Sequence, residues 1–264
     1  MSLEKITDPQ IDAIIKKASH FGFDFNNYKT TFLKRRIDVR LRTRGVQNYS
    51  EYSDLLDSTE SNALFKSISI NVTEFFRDME VFTYITQDLV PRLLIERSPT
   101  IRVWSAGCAT GEEPHSLAIL LNEACKTKLF KVYATDISTN AVESAKKGVY
   151  ASASLKNLSP ELLAKYFTIG DDGHHISSVI KNHITFNVAD LTSFEVKFLD
   201  VIVCRNVFIY YTKETQDMIL KKFHNCLKDT GYLVLGMDEG IRAEQTSMFE
   251  SINPRLRIYK KVPQ

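Results

Sequence analysis

The fold is decided at Val103-Trp-Ser-Ala-Gly107-Cys-Ala-Thr-Gly111-Glu112-Glu113-Pro114, where an apolar run ends in glycines and a helical pattern begins. This order predicts a strand, a turn and a helix. The same unit recurs at two later places, and one more strand follows: Phe130 to Thr135 with Ser138 to Lys146, Asp200 to Cys204 with Thr212 to Leu227, and Gly231 to Gly236. Strands that alternate with helices predict a mostly parallel sheet, in which ligands bind beyond the carboxyl ends of the strands.

The first strand end has the chemistry of a ligand site. Gly107 and Gly111 are spaced G-x-x-x-G, which is neither the dinucleotide fingerprint nor a phosphate-binding P-loop. Glu112 at the start of the helix would repel a phosphate, but it suits a ligand that carries an ammonium or a sulfonium. The alternative is an ordinary turn between a strand and a helix.

Polar residues also follow the other strands. Asp136 comes directly after the second strand and could accept both hydroxyls of an adenosine ribose, or it could cap the next helix. Asp190 and Leu191 follow the strand Ile184 to Val188 and could bracket an adenine edge. Arg205 and Asn206 end a buried strand, where a charge is costly unless it faces a polar site or forms an internal ion pair. We favour the polar site.

The first hundred residues contain helix signals instead. Between Tyr28 and Arg44, Leu33, Ile37 and Leu41 recur every four positions, which predicts an amphipathic helix. Arg36, Arg40 and Arg44 recur at the same interval and predict a basic outer face, which could dock an acidic partner or simply be solvated. Asn71-Val-Thr-Glu74 resembles a capping box and predicts a helix that starts near Val72.

Composition limits the class of protein. The 264 residues are 44% hydrophobic with a net charge of +2, and the longest apolar stretches are shorter than a membrane span. Because no secretory signal is present and no Cys-x-x-Cys pair occurs among the four cysteines, we expect a cytoplasmic protein with reduced thiols and no metal.

Taken together, these segments resemble the CheR family of chemotaxis receptor glutamate methyltransferases. The resemblance rests on motifs spread over most of the chain: Tyr28-Lys29 with Arg35-Arg36 and Arg40, Asn71-Val-Thr-Glu-Phe-Phe-Arg-Asp78, Val103 to Ser116, Ala134-Thr-Asp-Ile137, Gly148-Val-Tyr150, and Cys204 to Tyr211. It implies an α/β fold: an all-α N-terminal domain and linker at 1–86, then a Rossmann-like class I methyltransferase domain at 87–264. A small β subdomain would be inserted at about 150–184.

The resemblance also implies roles for single residues toward S-adenosyl-L-methionine, whose spent product is S-adenosyl-L-homocysteine. Asn71, Thr73 and Arg77 would reach the cofactor from the linker, and Gly107 with Glu112 would lie beside its methionine part. Asp136 would hold the ribose, Asp190 and Leu191 the adenine, and Arg205 with Asn206 would complete the strand tip. Asn is common in the family where Asp190 stands here.

The resemblance makes the basic helix, with Arg36, Arg40 and Arg44, a docking surface for the acidic methylation helices of membrane receptors. A glutamate is ionised at neutral pH, so the reaction needs alignment and no general base. Arg77 and Tyr210 are the residues expected to orient the carboxylate, since both donate hydrogen bonds. Two alternatives remain at this point: a methyltransferase that acts on nucleic acid through the basic helix, and a catalytically silent module that only binds the cofactor.

Overall fold

The computed structural model describes residues 8–70, 72–96, 99–125 and 129–263. The chain divides into two compact units. The first comprises Met1–Ile70 with Tyr210–Gln216, and the second comprises Asn71–Ile209 with Asp217–Gln264.

The first unit is helical, as the sequence predicted. Asp8 caps its first helix by accepting from the Gln10 amide, with Pro9 at the first helical position, and Ile37 and Leu41 of the second helix are buried on one face. The helices are α1 (Pro9–Ser19), α2 (Thr30–Arg44), α3 (Tyr49–Leu55) and α4 (Ser58–Ile68). The four-residue repeat of apolar positions in α2 therefore forms its core face.

The second unit is built on a sheet of seven strands within the described residues, in the order β6-β2-β1-β7-β8-β10-β9. Its strands are β1 (Thr100–Ala106), β2 (Leu129–Asp136), β6 (Ile184–Val188), β7 (Leu199–Cys204), β8 (Leu227–Leu235), β9 (Phe249–Asn253) and β10 (Ile258–Lys261). The first five pair in parallel, whereas β10 runs antiparallel to both β8 and β9. The mostly parallel sheet is confirmed, and the antiparallel pair at its edge is an addition that the sequence did not reveal.

The centre of this sheet is covered on both faces. All six residues of β7 are buried, and successive side chains of a strand point to opposite faces. The helices that follow α4 in the chain are α5 (Met79–Tyr84), α6 (Val90–Ile95), α7 (Glu112–Ala124), α8 (Thr139–Lys147), α9 (Pro160–Tyr166), α10 (Ser178–Lys181) and α11 (Lys213–Cys226). The first turn of α11 belongs to the first unit.

A separate three-stranded antiparallel sheet lies in the part of the chain where we expected an insertion. Its order is β3-β5-β4, and its strands are β3 (Val149–Tyr150), β4 (Phe167–Gly170) and β5 (Gly173–Ile176). The hairpin of β4 and β5 turns at Asp171 and Asp172, as the sequence predicted.

The segment after Asn71 differs from the prediction. Residues 72–78 are not helical, and α5 begins only at Met79. The amides of Phe75 and Phe76 bond to the Ser154 carbonyl and to the Ser116 hydroxyl, so they are not available for a helix. Both phenylalanine side chains are buried in the core of the second unit, with which residues 72–86 are grouped; our boundary at 86 had counted this segment as the linker that follows the N-terminal helices.

Candidate active site

Four strand ends bring most of the predicted site residues to one edge of the sheet. In the register of the parallel strands, Ala106 pairs with Thr135 and Asp136 pairs with Val188, while Ser105 pairs with Val203. The residues that follow these positions therefore share the carboxyl edge of the sheet: Gly107, Asp136, Asp190, Leu191, Arg205 and Asn206.

Gly107 occupies a position that only glycine fits. Its φ of +88° is left-handed, and a Cβ added there would lie 2.5 Å from Cγ2 of Val207. The Gly107 and Cys108 amides both donate to the Thr135 carbonyl over 2.8 Å, which ties the turn after β1 to the end of β2. The backbone can consequently pass close to a ligand at this edge.

Asp136 is buried and holds two loops together. One carboxylate oxygen accepts from the Ala109 amide and the other from the Ser138 amide, each over 2.9 Å. The cap of α8 is Ser138, whose hydroxyl accepts from the Ala141 amide, so the alternative that Asp136 caps this helix is wrong. The carboxylate is fixed at the strand end, where a ribose would be held.

Glu112 is a buried carboxylate at the first position of α7. It is only 4% exposed, it accepts from the Thr110 hydroxyl over 2.7 Å, and burial raises its pKa. In the described part of the chain, Glu112 forms no ion pair with a Lys or Arg. A buried carboxylate without a cation is costly, so this position favours a positively charged ligand.

Arg205 forms an internal ion pair, so our preference for an open polar site at its guanidinium was wrong. Its side chain is 2% exposed and donates to Asp78 and, over 3.5 Å, to Glu113. The guanidinium also lies 5.7 Å from the centroid of the Phe82 ring. Arg205 therefore joins the tip of β7 to the segment before α5.

Backbone strain is concentrated around these strand ends. Six non-glycine residues in the described ranges have a positive φ, and four of them belong to the site loops: Phe76, Asp78, Ala109 and Asn206. Each such conformation costs about 1–3 kcal/mol and persists only where the surrounding structure enforces it. Their clustering is typical of a functional site.

Three acids beside these strand ends were not singled out as site residues from the sequence: the exposed Asp78, the half-buried Glu113 and the buried Glu239. Glu113 accepts from the Ser105 hydroxyl over 2.7 Å, and burial raises its pKa. Glu239 accepts from backbone amides of the loop after β7. The one signal that could have found Glu239 is its position three residues beyond Gly236, at the end of a predicted strand.

The remaining candidates for cofactor binding differ in their burial and in their hydrogen bonds. Asp190 accepts from the Thr192 amide and hydroxyl over 2.7 and 2.6 Å, which closes its own turn, and Leu191 is buried. Arg77 is half-buried and donates to the Val72 carbonyl, and Thr73 is half-buried as well. Asn71 lies outside the described residues.

Tyr210 belongs to the first unit and not to the second. Its ring lies 4.6 Å from that of Phe32, centroid to centroid, and its carbonyl accepts from the Lys29 amide over 2.9 Å. Arg77 belongs to the second unit, so the pairing of Arg77 with Tyr210 stays a prediction.

The three arginines that we predicted on the basic outer face of α2 differ in their exposure. Arg40 is mostly buried and forms a two-pronged pair with Glu60 over 2.7 and 2.8 Å, because the buried Glu60 needs a cation. Arg44 is half-exposed, 3.7 Å from the same carboxylate, and Arg36 lies over the Phe32 ring. The exposed positive charges on α2 include Arg35 and Arg42.

The ranges that the structure describes contain neither a membrane-spanning helix nor a cluster of metal ligands. No helix there is both long and apolar enough to cross a bilayer. No group of three His, Cys, Asp or Glu side chains there is arranged to hold a metal ion.

Comparison with known proteins identifies the family. Residues 71–258 match the SAM-binding domain of the CheR methyltransferases, and residues 18–69 match their all-alpha domain. The chain belongs to the CheR methyltransferase family. Three relatives are named chemotaxis protein methyltransferase. The relative from Borreliella burgdorferi is 32% identical, and the match covers 97% of this chain and 95% of the relative. The relative from Escherichia coli K12 is 34% identical, with 83% of this chain and 79% of the relative covered. The relative from Listeria innocua is 33% identical, with 83% of this chain and 85% of the relative covered.

Membership in the CheR family confirms the resemblance and the predicted fold class of an all-α domain followed by a class I methyltransferase domain. The CheR chain is an S-adenosylmethionine-dependent protein-glutamate O-methyltransferase of chemotaxis, and the silent-module alternative is set aside. The structure fits this cofactor at the carboxyl edge, where Glu112 is a buried acid facing no basic partner within the described chain and Asp136 is fixed at the strand end.

A buried histidine in α7 is expected to make the stability of the chain depend on pH. His115 is fully buried, its Nδ1 lies 2.8 Å from the Gly111 carbonyl, and burial lowers its pKa from 6.5 to about 3. Between these two pH values the unfolded chain binds a proton that the folded chain does not. Acidification below pH 6.5 is therefore expected to lower the free energy of unfolding, by at most about 1.4 kcal/mol per pH unit from this group.

Urea titrations at about pH 7 and about pH 5 would measure this dependence. The matched variant is His115→Asn, whose amide nitrogen can replace Nδ1 as the donor to Gly111 but which does not titrate. The variant should lose less stability on acidification than the parent chain. An equal loss in both chains would exclude His115 as the source.

Proposed function

We propose that this CheR enzyme forms methyl esters on glutamate side chains in the acidic methylation helices of membrane receptors, acting in the cytoplasm on the receptors' cytoplasmic domains. The observation that carries the proposal is Glu112, a buried carboxylate that faces no Lys or Arg in the described chain, at the same strand edge as Asp136. Such a site selects a cationic ligand over a phosphate-rich one.

In this proposal each residue contacts the part of the cofactor that the family resemblance implies for it. Gly107 and Glu112 would hold the methionine part of S-adenosyl-L-methionine, Asp136 the ribose, and Asp190 with Leu191 the adenine. Asn71, Thr73 and Arg77 would close the site from the segment before α5. The bound cofactor supplies a methyl group on a sulfonium.

Arg205 and Asn206 take an indirect part in cofactor binding in this proposal. Since the Arg205 guanidinium is paired with Asp78 and Glu113, we assign its side chain to hold the segment that carries Arg77. Asn206 adopts a left-handed φ of +61°, which sets the direction of the loop after β7. Both residues would then shape the cofactor site through the backbone.

The chain's own residues have mainly to bind, orient and exclude water. A glutamate has a pKa near 4.3 and is ionised at neutral pH, so no side chain needs to remove a proton. Arg77 and Tyr210 would orient the carboxylate through hydrogen bonds. A water-poor site favours the approach of opposite charges that are lost as the bond forms.

The acidic receptor helix would be recognised by α2. Arg36 and Arg44 keep the docking role predicted for them, Arg35 and Arg42 add exposed charge, and Arg40 acts indirectly by holding Glu60. Charge complementarity of this kind accelerates encounter and weakens with salt.

Transfer of radiolabelled methyl groups from S-adenosyl-L-methionine to purified receptor cytoplasmic fragments tests the function. We expect label that base releases, as carboxyl esters require, and none on receptor fragments whose acceptor glutamates are replaced by alanine. Label on nucleic acid, or base-stable label on protein, would contradict the proposal.

In the same assay, Arg77→Ala and Tyr210→Phe are each expected to lower turnover about 10-fold to 100-fold, because a misaligned nucleophile reacts slowly. The Kd for S-adenosyl-L-methionine, measured by calorimetry, should change much less for Tyr210→Phe. Tyr211→Phe is the matched control, since Tyr211 stacks on Tyr28 in the same unit and has no assigned role in the reaction. Unchanged turnover in both test variants would remove them from the catalytic site.

A further inference from the structure

We propose that Glu239 is a positioning residue for methyl transfer: its carboxylate anchors the loop after β7 through backbone amides. The inference rests on the proposed function, because it assigns this loop a part in the reaction. Glu239 lies beyond the end of β8 and is 4% exposed.

The contacts of Glu239 join two strand ends. Oε2 accepts from the Gly236 amide over 2.7 Å and from the Asn206 amide over 3.0 Å, and Oε1 accepts from the Ile209 amide over 3.3 Å. No Lys or Arg in the described ranges forms an ion pair with it. Glu239 is therefore an acceptor for main-chain donors, and its partners span the loop from beginning to end.

The surrounding atoms leave no room for a side chain at Gly236. A Cβ added to Gly236 would lie 2.7 Å from Oε2 of Glu239 and 2.8 Å from the Asn206 nitrogen. The Glu239 amide itself donates to the Gly236 carbonyl over 2.9 Å, which closes the turn that presents the carboxylate. Gly236 and Glu239 thus form one tight turn at the end of β8, which we call the Glu239 turn.

The Glu239 turn explains how the loop after β7 keeps its strained backbone. Asn206 keeps a left-handed φ of +61°, and a non-glycine residue holds such a conformation only where its surroundings enforce it. The same loop begins with Arg205, which pairs with Asp78, and Ile209 directly precedes Tyr210 in the sequence. A displacement of about 1 Å in a loop with this role can cost about 100-fold in rate.

The Glu239 turn requires a carboxylate at position 239, and a polar side chain of the same size does not suffice. An ionised Glu offers only acceptors, whereas Gln has a single oxygen and an NH₂ group that would face the amide donors. Glu239→Gln is therefore nearly equal in volume and leaves at least one loop amide opposed by another donor.

Steady-state methyl transfer at saturating S-adenosyl-L-methionine tests the inference. We expect Glu239→Gln to lower kcat about 10-fold to 100-fold, while the Kd for the cofactor rises less than about 10-fold. Glu239→Asp keeps both acceptor oxygens and should retain more turnover than Glu239→Gln. Wild-type kcat in a folded Glu239→Gln, or less turnover in Glu239→Asp than in Glu239→Gln, would overturn the assignment.

Asp200→Asn is the matched control, because Asp200 is a buried carboxylate at the opposite end of β7. It accepts from the Arg102 amide over 2.7 Å and pairs with Lys228. We expect both variants to lower the Tm but only Glu239→Gln to lower kcat at a temperature where each is folded. An equal loss of kcat in the two variants would indicate a general effect of stability and would also overturn the proposal.

The wild-type chain separates this inference from the proposed function. If it transfers no methyl group to receptor fragments, the proposed function fails. If it is active and Glu239→Gln is equally active, only the role of Glu239 fails.

Discussion

Replacing Asp136 with alanine is expected to raise the Kd for S-adenosyl-L-methionine at least about 100-fold. A hydrogen bond to a charged acceptor contributes about 1.5–3 kcal/mol, and every 1.4 kcal/mol changes the Kd by about a factor of ten. The loss of the hydrogen bonds to two ribose hydroxyls is therefore enough to produce this rise in Kd. The substitution also releases the Ala109 and Ser138 amides, which the carboxylate holds at 2.9 Å. Isothermal titration with S-adenosyl-L-methionine and with S-adenosyl-L-homocysteine would measure the loss.

Two controls belong to this titration. Asp171→Ala alters an exposed acid at the hairpin turn of the small sheet and should leave both affinities unchanged. Asp136→Asn keeps one acceptor oxygen and should bind with intermediate affinity. If Asp136→Ala remains folded by circular dichroism and binds as tightly as the parent chain, the cofactor site is not at this edge of the sheet.

Replacing Arg205 with alanine is expected to lower the free energy of unfolding by about 3 kcal/mol, since breaking a buried ion pair leaves a buried charge without its partner. The guanidinium is almost fully buried and contacts both Asp78 and Glu113. Asp78 is partly exposed and can be hydrated, which places the effect at the lower end of the usual range. Urea denaturation at neutral pH would measure it.

Lys165→Ala is the control for this stability effect, because it breaks the exposed pair with Glu123. An exposed pair contributes little, so its denaturation midpoint should be nearly that of the parent chain. A folded Arg205→Ala with an unchanged midpoint would mean that the internal ion pair does not hold the segment before α5.

The sequence predicted the elements of the second unit well because their signals are local. The strand of Ile184–Val188 and the helix after Ser138 have periodicity and caps that neighbouring residues provide. A parallel sheet then follows from alternation alone, and it brings Gly107, Asp136 and Arg205 to one edge. The carboxyl edge of the sheet was therefore predictable from the chain itself.

Side-chain partners were less predictable, because they depend on residues that are distant in sequence. Arg205 finds Asp78 and Arg40 finds Glu60, and both arginines had been assigned to exposed or ligand-facing sites. The capping-box pattern at Asn71 was outweighed by Phe75 and Phe76, whose burial and amide partners lie in other elements. A local pattern cannot reveal that competition.

By itself the sequence determined the helical first unit, the parallel sheet, the family and the edge of the sheet at which we propose the cofactor site, since each is encoded in periodicity and in contiguous motifs. Only the tertiary structure decided which acids hold which loops at that edge. It placed Glu239 against the amides of Asn206 and Ile209, left Glu112 without a basic partner in the described chain, and enclosed Arg205 between two carboxylates. The reason is physical: burial and pairing depend on which groups the folded chain brings together, and contacts between residues far apart in the chain leave no periodic trace in it.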